Sequence, residues 1–542
     1  MKFIGNIDRL QSDSLAYRVY DKLNSILNDG EDSLLYYMFP VYSGNIDVGK
    51  VECNLLLLSR TYGVFYFDSK KIEETIEVAE NRIDNLYSCI TESFRRVPEL
   101  KKGRNSLKYD IITIFVSDDA VENALSEDFV FSDVNNIKDI LSDYQGEIDE
   151  RSFDLMQSCL DGTVQTIRKA LRPCVSHRLT KGAILNEIEK NIAKFDVEQK
   201  LAAAAETEGV QRIRGLAGSG KTIVLTQKAA NYHLKHPDDV ILYTYYTKAL
   251  HDTIKEHISR AYRYFSDNKE PNWDKIIICH AWGGAGTPGV YSLACEDSGA
   301  EALSYGQAIR LRGNDPFGAA CKLLLDNNNI KPRYDLILID EGQDFTPPFY
   351  QLCYQLSKNK KITWAYDDFQ NIFNVKIQDE RETFGKNEQG EYNVDFERDK
   401  FSNQDIVLKK CYRTPRYSLI SAFSLGLGIY NGKVLQRLDT NNRWESLGFH
   451  VLHGDCQLTG DKMEIERPEE NTPGYSNEKF DASSIQYKKF KNIDVECRFI
   501  ARSIANDLTE EELRPEDICV ICVDRKYISG YFSRISDFLS NE

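Results

Sequence analysis

The stretch Gly215-Leu216-Ala217-Gly218-Ser219-Gly220-Lys221-Thr222 fits the phosphate-loop pattern G-x-x-x-x-G-K-[ST] without a mismatch. Residues 210–214 before it alternate like a short strand, and residues 222–230 after it have the pattern of a helix start. Glycines let the backbone wrap closely around phosphates with its N–H groups pointing inward. The sequence therefore predicts a strand, a loop and a helix arranged around a nucleotide.

The residues of this loop have separate predicted tasks. Lys221 would reach the β- and γ-phosphates, and the Thr222 hydroxyl would ligate Mg²⁺. The N-terminus of the following helix adds its positive end to the site. The loop residues expected to wrap the phosphates are Gly215, Gly218, Ser219 and Gly220.

Length and composition limit the class of protein. A chain of 542 residues is long enough for about three domains, because single cores stop growing near ~250–300 residues. Its formal net charge of −16 repels nucleic acid at long range, so such a partner would need a local basic groove. The chain has no apolar run of membrane-spanning length, and its start lacks a signal-peptide core. We expect a soluble cytoplasmic protein without a membrane partner, its 13 cysteines reduced and mostly buried.

The first part of the chain carries polar residues on neighbouring predicted strands. Residues 51–59 predict a buried strand, residues 61–63 a hairpin turn, and residues 64–70 a second strand that ends in D-x-K. This arrangement resembles the nuclease-related domain of the restriction-endonuclease-like fold. The residues that match or nearly match its metal-binding pattern are Gly30, Glu31, Glu52, Asp68 and Lys70.

Asn54 departs from that resemblance, because it stands where the family places a metal-binding aspartate. A neutral amide is a poor ligand for a hard Mg²⁺ ion compared with a carboxylate. We expect residues 1–140 to form a nuclease-related domain that is inactive or only binds. Weak or altered nuclease activity, and no relation to that family, stay open as alternatives. Residues 141–194 are predicted to form a helical connector.

Polar residues follow several predicted strands after the loop. One strand near residue 240 runs into Tyr245, and another near residue 275 ends in His280-Ala281-Trp282. An apolar strand from residue 334 ends in Asp340 and Glu341. Asp340 would hold Mg²⁺ through its water shell, and Glu341 would polarise the attacking water. Ligand sites of parallel α/β sheets collect at such strand ends.

The loop followed by Asp-Glu-Gly-Gln-Asp-Phe from residue 340 is similar to superfamily 1 helicases of the UvrD/Rep type. Further segments resemble that family's motifs in the same order, from residue 199 to residue 414. The resemblance implies ATP and Mg²⁺ as cofactors. It also implies single-stranded nucleic acid as a partner, contacted through Tyr245, His280 and Trp282. No tryptophan follows Phe373, where many relatives carry a base-stacking aromatic.

The resemblance implies roles for four more residues. Gln199 would read adenine, since a glutamine amide both donates and accepts hydrogen bonds. Gln370 would sense the γ-phosphate. Tyr412 would stack on adenine. The planar, permanently charged guanidinium of Arg413 would stabilise the negative charge that develops on the phosphate during hydrolysis.

The expected fold class is α/β. Residues 195–375 would form a RecA-like ATPase lobe with an insertion at about 284–330, and residues 376–542 part of a second RecA-like lobe. That second part is expected to contain a helix over 495–508 and a core strand over 517–523. The family's two C-terminal motifs have no counterpart before Glu542, so we expect a chain truncated in this lobe that hydrolyses ATP slowly.

The expected function is ATP-dependent translocation or unwinding of DNA in defence or repair, the latter by analogy only. One alternative is a nucleotide-dependent scaffold or switch, whose protein partner or C-terminal continuation supplies the missing part of the lobe. Another is a helicase-nuclease with an active N-terminal domain.

Overall fold

The protein is described from a computed structural model. It covers residues 1–27, 32–43, 50–68, 75–103, 106–117, 130–144, 146–163, 180–192, 196–247, 250–283, 286–311, 315–327, 329–367, 379–429, 438, 440–472, 485–524 and 526–540. Internal contacts divide the chain into two compact units. The first unit combines Met1–Gln165 with Phe195–Lys409, and the second combines Thr166–Lys194 with Lys410–Glu542. None of the helices within these ranges is both long enough and apolar enough to cross a membrane.

The N-terminal part of the first unit is a six-stranded mixed sheet in the order β1-β2-β5-β6-β7-β8. Its strands are β1 (Lys2–Ile4), β2 (Ser33–Tyr37), β5 (Leu55–Ser59), β6 (Gly63–Asp68), β7 (Ile111–Val116) and β8 (Val130–Ser132), while β3 (Val41–Ser43) and β4 (Lys50–Glu52) form a separate antiparallel pair. The helices of this part are Ile7–Ser12, Ser14–Ile26, Ile76–Arg95, Ile137–Asp143 and Glu150–Leu160, with short 3-10 helices at Pro98–Leu100 and Val134–Asn136.

The single strand predicted over residues 51–59 is wrong, because the chain leaves the ladder between β4 and β5. The Cys53 N–H donates to the Pro40 carbonyl at 3.1 Å, and the Asn54 carbonyl accepts from the Met38 N–H at 3.0 Å. These backbone bonds take the place of ladder bonds and separate Glu52 from the buried strand that follows. The predicted hairpin turn is confirmed, since β5 and β6 pair antiparallel with Ser59 opposite Gly63.

The second sheet of the first unit is parallel throughout, with six strands in the order β11-β10-β12-β13-β9-β14. Parallel sheets are covered on both faces, and four of these strands are accordingly mostly apolar, whereas β9 and the edge strand β14 also carry charged residues. The expected α/β class is confirmed. The strands are β9 (Val210–Gly215), β10 (Ile241–Tyr245), β11 (Ile276–His280), β12 (Leu336–Ile339), β13 (Ile362–Tyr366) and β14 (Asp405–Leu408). The accompanying helices are Val197–Ala204, Lys221–Lys235, His251–Phe265, Val290–Ser298, Tyr305–Leu311, Pro316–Asn327, Pro347–Leu356, Glu380–Phe384 and Phe396–Asp399, with a 3-10 helix at Gly342–Asp344.

The edge strand β14 lies beyond residue 375, where the first lobe was predicted to end. It pairs with β9, and the Asp405 carboxylate forms ion pairs with Arg212 at 2.8 Å and Arg214 at 2.9 Å. Arg212 and Arg214 are two residues apart on β9 and therefore point to one face. This part of the chain thus belongs to the first sheet rather than to a second lobe.

The predicted connector divides between the two units. Helix Glu150–Leu160 contributes Phe153, Met156 and Leu160 to the core beneath the N-terminal sheet. Helix Lys181–Ile192 belongs to the second unit, where Lys181 pairs with Asp507 at 2.6 Å.

The second unit is mainly helical in its described part. It contains one antiparallel pair of strands, β15 (His450–His453) with β16 (Glu464–Glu466), and no parallel sheet within those residues. Its helices are Lys181–Ile192, Arg416–Leu427, Asn441–Ser446, Ile493–Thr509 and Ile528–Leu539, with 3-10 helices at Glu469–Asn471 and Pro515–Asp517.

The helix predicted over 495–508 is confirmed, whereas the core strand predicted over 517–523 is wrong. Residues 518–523 pair with no other strand in the described chain. Ile521 is 81% exposed and Val523 is 95% exposed. An apolar run becomes a core strand only where a neighbouring strand takes its hydrogen bonds and another layer covers it. The expected partial RecA-like sheet is therefore absent from the described residues of this unit.

A fully buried arginine organises the packing of the second unit. The Arg467 guanidinium donates to the carbonyls of Leu447 at 2.5 Å and Asn471 at 2.8 Å, and it lies over the Phe449 ring at 5.1 Å. Burial lowers the pKa of Arg467 from its ordinary value. Its donors satisfy the Leu447 carbonyl and add a second hydrogen bond to the Asn471 carbonyl, which also accepts from the Cys411 N–H at 2.9 Å.

Replacing this arginine should destabilise the second unit. Arg467→Met keeps most of the side-chain volume but leaves the buried Leu447 carbonyl without its donor and removes one of two donors to the Asn471 carbonyl, which should cost about 2 kcal/mol. Urea unfolding followed by circular dichroism measures the change. Arg514→Met, at a half-exposed position paired with Glu516, is the control and should change stability little. Equal stability of both variants would contradict the role assigned to Arg467.

Candidate functional site

The loop after β9 has the geometry that the phosphate-loop pattern predicts. Gly218 and Gly220 have positive φ angles of 84° and 89°, a region that residues with a Cβ rarely adopt. A Cβ at Gly215 would lie 2.5 Å from Ser219 Oγ, so this position also requires glycine. The glycines therefore permit a turn that is too tight for other residues.

Lys221 begins the helix Lys221–Lys235 and is buried with its ammonium group over the loop. Its Nζ donates to the carbonyl oxygens of Gly215 at 2.7 Å and Leu216 at 3.2 Å. The Asp367 carboxylate lies 3.9 Å from the same nitrogen. The positive charge is therefore held at the loop, where phosphates bind in sites of this kind.

Gln199 contacts the loop directly. It forms a capping box with Asp196, whose backbone N–H donates to Gln199 Oε1 at 3.0 Å. Its Nε2 donates to the Ser219 carbonyl at 2.9 Å, and a Cβ at Gly220 would lie 2.6 Å from that nitrogen. The amide thus fixes the loop to helix Val197–Ala204. The predicted contact of Gln199 with adenine stays a prediction.

The acidic pair after β12 lies beside the loop. Asp340 is fully buried and accepts hydrogen bonds from the Tyr243 hydroxyl at 2.9 Å and the Glu341 N–H at 2.9 Å, and the nearby Thr222 side chain helps to lower its pKa. Burial and the negative charge of Glu341 raise the pKa of Asp340, while the hydrogen bonds oppose this shift. The structure thus brings together Thr222 and Asp340, the two predicted metal ligands.

Glu341 is held in an unusual conformation at the end of the same strand. Its φ angle is 52°, uncommon for a residue with a side chain and frequent at functional sites. Gln343 Nε2 donates to the Glu341 carboxylate at 2.5 Å, and Gln343 Oε1 accepts from the Asp367 N–H at 3.1 Å. Gln343 therefore joins the end of β12 to the end of β13.

Sequence reasoning missed Tyr243, Gln343 and Asp367 as residues of this site. Gln343 had a usable signal, since it is the glutamine of the Asp-Glu-x-Gln-Asp pattern. Asp367 directly follows β13, at the edge of the sheet where ligand sites form. Tyr243 lies inside an apolar strand, and only the sheet order brings its hydroxyl to Asp340.

These residues fit a nucleotide with Mg²⁺. Ser219 Oγ is buried and has no hydrogen-bond partner in the described part of the chain, so it is available to a ligand. The hydroxyl and carboxylate oxygens of Thr222 and Asp340 suit a hard cation. Across the described ranges, no group of three or more His, Cys, Asp and Glu side chains could hold a metal ion alone.

Three predicted nucleotide contacts stay untested. Gln370 lies outside the described residues. Tyr412 is buried and Arg413 is exposed, and both belong to the second unit, whereas the loop belongs to the first. Their predicted roles stay predictions.

The base-stacking role predicted for Tyr245 is wrong, because this side chain is only 2% exposed and packs in the core of the parallel sheet. Side chains alternate along the strand, and the next residue, Tyr246, is 47% exposed. The Tyr246 ring lies 6.3 Å from His280 and 5.7 Å from Phe345 between centroids. Tyr246 is therefore the exposed aromatic side chain at this strand end.

The other two predicted nucleic-acid residues make internal contacts. His280 Nδ1 accepts from the Trp282 N–H at 3.1 Å and so shapes the turn after β11. The Trp282 ring stacks on Phe317 at 5.1 Å, and its indole N–H donates to the Leu303 carbonyl at 3.1 Å. Trp282 is thus held by the insertion rather than displayed for stacking.

The predicted nuclease residue Asp68 is neutralised by an arginine. Arg82, on helix Ile76–Arg95, donates to the two oxygens of this buried carboxylate at 2.9 and 3.1 Å, and the Tyr66 hydroxyl donates to it as well. Asn54 Nδ2 also donates to Asp68 at 3.3 Å. A carboxylate whose two oxygens both accept hydrogen bonds from a guanidinium is a poor metal ligand, because the guanidinium already occupies the lone pairs that a metal ion would need.

The remaining nuclease candidates do not complete a metal site in the described residues. Glu52 pairs with Lys50 at 3.3 Å and lies 3.9 Å from Lys235, which belongs to the helix that follows the loop. Glu31 and Lys70 lie outside the described residues. The contacts that are described favour the inactive alternative for the N-terminal domain.

Restoring the missing carboxylate alone should not restore metal binding. Asn54→Asp places a second anion beside Asp68 while Arg82 still neutralises the first, so we expect no Mn²⁺ binding by calorimetry and no metal-dependent DNA cleavage. Asn54→Asp combined with Arg82→Ala frees both carboxylates and should bind Mn²⁺ more tightly than either single variant. Robust cleavage by the unmodified protein, lost in Asp68→Ala, would show that the domain is active.

Comparison of the chain with protein-family models finds no match, and comparison with curated proteins finds none either. What the protein binds is therefore inferred from its own residues. The loop of residues 215–222, together with Asp340 and Glu341, is the site with the most defined chemistry.

Proposed function

We propose that this protein is an ATP-dependent motor on single-stranded DNA, of the UvrD/Rep helicase type. The observation that carries the proposal is that the buried Asp340 carboxylate, with the Glu341 N–H bonded to it, lies close enough to the Thr222 side chain for Thr222 to lower its pKa. Thr222, at the end of the phosphate loop, and the acidic pair thus lie together although they come from distant parts of the chain.

Each residue of the site would have its own role in ATP hydrolysis. Lys221 and the loop N–H groups would bind the phosphates, and Thr222 and Asp340 would hold Mg²⁺, whose positive charge would offset the negative charge of the phosphates. Glu341 orients and polarises the attacking water. Gln343 holds the Glu341 carboxylate and connects it to β13, the strand that precedes the predicted γ-phosphate sensor Gln370.

The strand order supports a RecA-like lobe in the first unit. β13 lies between β9, which leads into the loop, and β12, which ends in the acidic pair. The loop and the acids are therefore one strand apart, with the end of β13 between them. Residues at the end of β13 can therefore contact both the phosphate loop and the proposed catalytic acid.

DNA contact would use the exposed aromatic at the end of β10. Tyr246 offers a stacking face beside His280, and base–aromatic stacking is tolerant of sequence. The formal charge of −16 requires that such contact be local. Defence against foreign DNA, or repair, remains the biological setting that the family resemblance suggests.

A nucleotide-dependent scaffold or switch is the second candidate. The internal packing of Tyr245 and Trp282 favours it, because two of the three residues expected to contact DNA are engaged inside the protein. A switch would bind ATP at the same loop without DNA stimulation. DNA dependence of hydrolysis therefore separates the two candidates.

Two substitutions should separate nucleotide binding from hydrolysis. Lys221→Ala removes the phosphate-binding charge and should abolish binding of Mg²⁺-ATP, measured with a fluorescent analogue. Glu341→Gln keeps the shape of the acid, and it should retain binding but lower single-turnover hydrolysis about 100-fold. Unchanged affinity in Lys221→Ala, with circular dichroism like that of the unmodified protein, would remove the loop from the proposal.

Single-stranded DNA affinity should depend on Tyr246. Tyr246→Ala removes an exposed stacking face and should weaken binding of an oligothymidylate by about 10-fold, measured by fluorescence anisotropy at fixed salt. Tyr144→Ala removes a similarly exposed tyrosine from the N-terminal part and serves as the matched control. Equal affinities for both variants would favour the switch candidate.

A further inference from the structure

A buried ion pair lies beside the residue that fixes the phosphate loop. Lys200, adjacent to Gln199 on helix Val197–Ala204, places its Nζ 3.0 Å from the Asp161 carboxylate. The side chains of both residues are almost completely buried, at 1% and 4% exposure. Taking two charges out of water is costly, so such a pair requires good geometry and further partners.

Asp161 belongs to the N-terminal domain through its packing. It caps helix Glu150–Leu160, which is part of the core beneath the N-terminal sheet. The Tyr36 hydroxyl, from β2 of that sheet, donates to Asp161 Oδ1 at 3.3 Å. Burial raises the pKa of Asp161 to about 6 and lowers the pKa of Lys200, and the attraction between the two groups opposes both shifts. The N-terminal domain therefore supplies the anion that holds Lys200.

The same helix is fixed to the ATPase elements at two points. Gln199 Nε2 donates to the Ser219 carbonyl of the loop at 2.9 Å. Lys228, on the helix that follows the loop, donates to the Ala202 carbonyl at 3.2 Å and to that of Ala205. Helix Val197–Ala204 thus contacts the N-terminal domain through Lys200 and the phosphate loop through Gln199.

We propose that Lys200 is a positioning residue through which the N-terminal domain, by way of Tyr36 and Asp161, sets the conformation of the phosphate loop and its affinity for nucleotide. The inference deepens the proposed ATP site and rests on it for its effect on affinity. It gives the N-terminal domain a function that does not depend on metal or cleavage. The buried pair specifies where helix Val197–Ala204 sits, and the neighbouring Gln199 transmits that position to Ser219.

A second buried ion pair of the N-terminal domain provides the control. Arg82 and Asp68 are also largely buried, at 17% and 2% side-chain exposure, and none of their described contacts is to helix Val197–Ala204. Loss of either pair should lower global stability, because each leaves an unpaired buried charge. Only loss of the Lys200–Asp161 pair should also change the conformation of the phosphate loop.

Hydrogen–deuterium exchange on the full chain without nucleotide tests the positioning directly. In Lys200→Met, amides of residues 196–204 and 215–222 should exchange about 10-fold faster than in the unmodified protein, at a temperature where both are folded. Arg82→Met should leave exchange in these segments unchanged. Unchanged exchange in Lys200→Met, or equal acceleration in both variants, would overturn the proposal.

Nucleotide binding measures whether the position of the loop affects the affinity for nucleotide. Lys200→Met should raise the dissociation constant of Mg²⁺-ADP about 10-fold, a coupling of ordinary size, while Arg82→Met should not change it. Tyr36→Phe, which removes only the hydroxyl, should have a smaller effect in the same direction. Equal ADP affinity in the unmodified protein and in Lys200→Met would overturn the coupling to affinity. Absence of ADP binding in the unmodified protein would instead overturn the proposed ATP site, and the exchange experiment would still decide the positioning role.

Discussion

The buried Asp340 carboxylate brings together three separate elements of the first unit. It accepts hydrogen bonds from Tyr243 on β10 and from the backbone of Glu341 after β12, and Thr222, at the start of the helix after β9, lies close enough to lower its pKa. A carboxylate removed from water is tolerated only with such partners. The groups that contact Asp340 must therefore lie next to one another in the folded protein. This requirement limits the possible orders of the strands and the possible paths of the phosphate loop. The proposed ATPase chemistry depends on this one cluster.

The polar residues of the N-terminal part that resemble a nuclease metal site take part in ion pairs with other protein residues instead. Asp68 is bound by Arg82, and Glu52 pairs with Lys50 and lies near Lys235 in the ATPase part. Asp161 pairs with Lys200 beside the loop. Charges that could have held a metal or remained solvated thus stabilise the first unit, whose N-terminal and ATPase parts share a continuous core. The domain is best understood as support for the nucleotide site.

Features that depend on local pattern were predictable from the sequence, whereas features that depend on the surroundings of a side chain were not. The loop, its flanking strand and helix, and the Asp340–Glu341 pair all follow from short-range rules. The choice between Tyr245 and Tyr246 depends on which face of β10 is covered, and alternation alone leaves it undecided. Residues 518–523 have the composition of a core strand, but strand formation also needs a neighbour. The contacts of Arg82 and Lys200 join residues distant in sequence, for which no local pattern exists.

An experimental structure of the chain with a non-hydrolysable ATP analogue and Mg²⁺ tests the central claim most directly. The account predicts that Lys221 Nζ leaves the carbonyls of Gly215 and Leu216 for the β- and γ-phosphate oxygens, with Mg²⁺ beside Thr222 and Asp340. Gln199 should keep its bond to the Ser219 carbonyl. A nucleotide bound elsewhere, or a loop in which Lys221 still contacts both carbonyls at saturating analogue, would contradict the account.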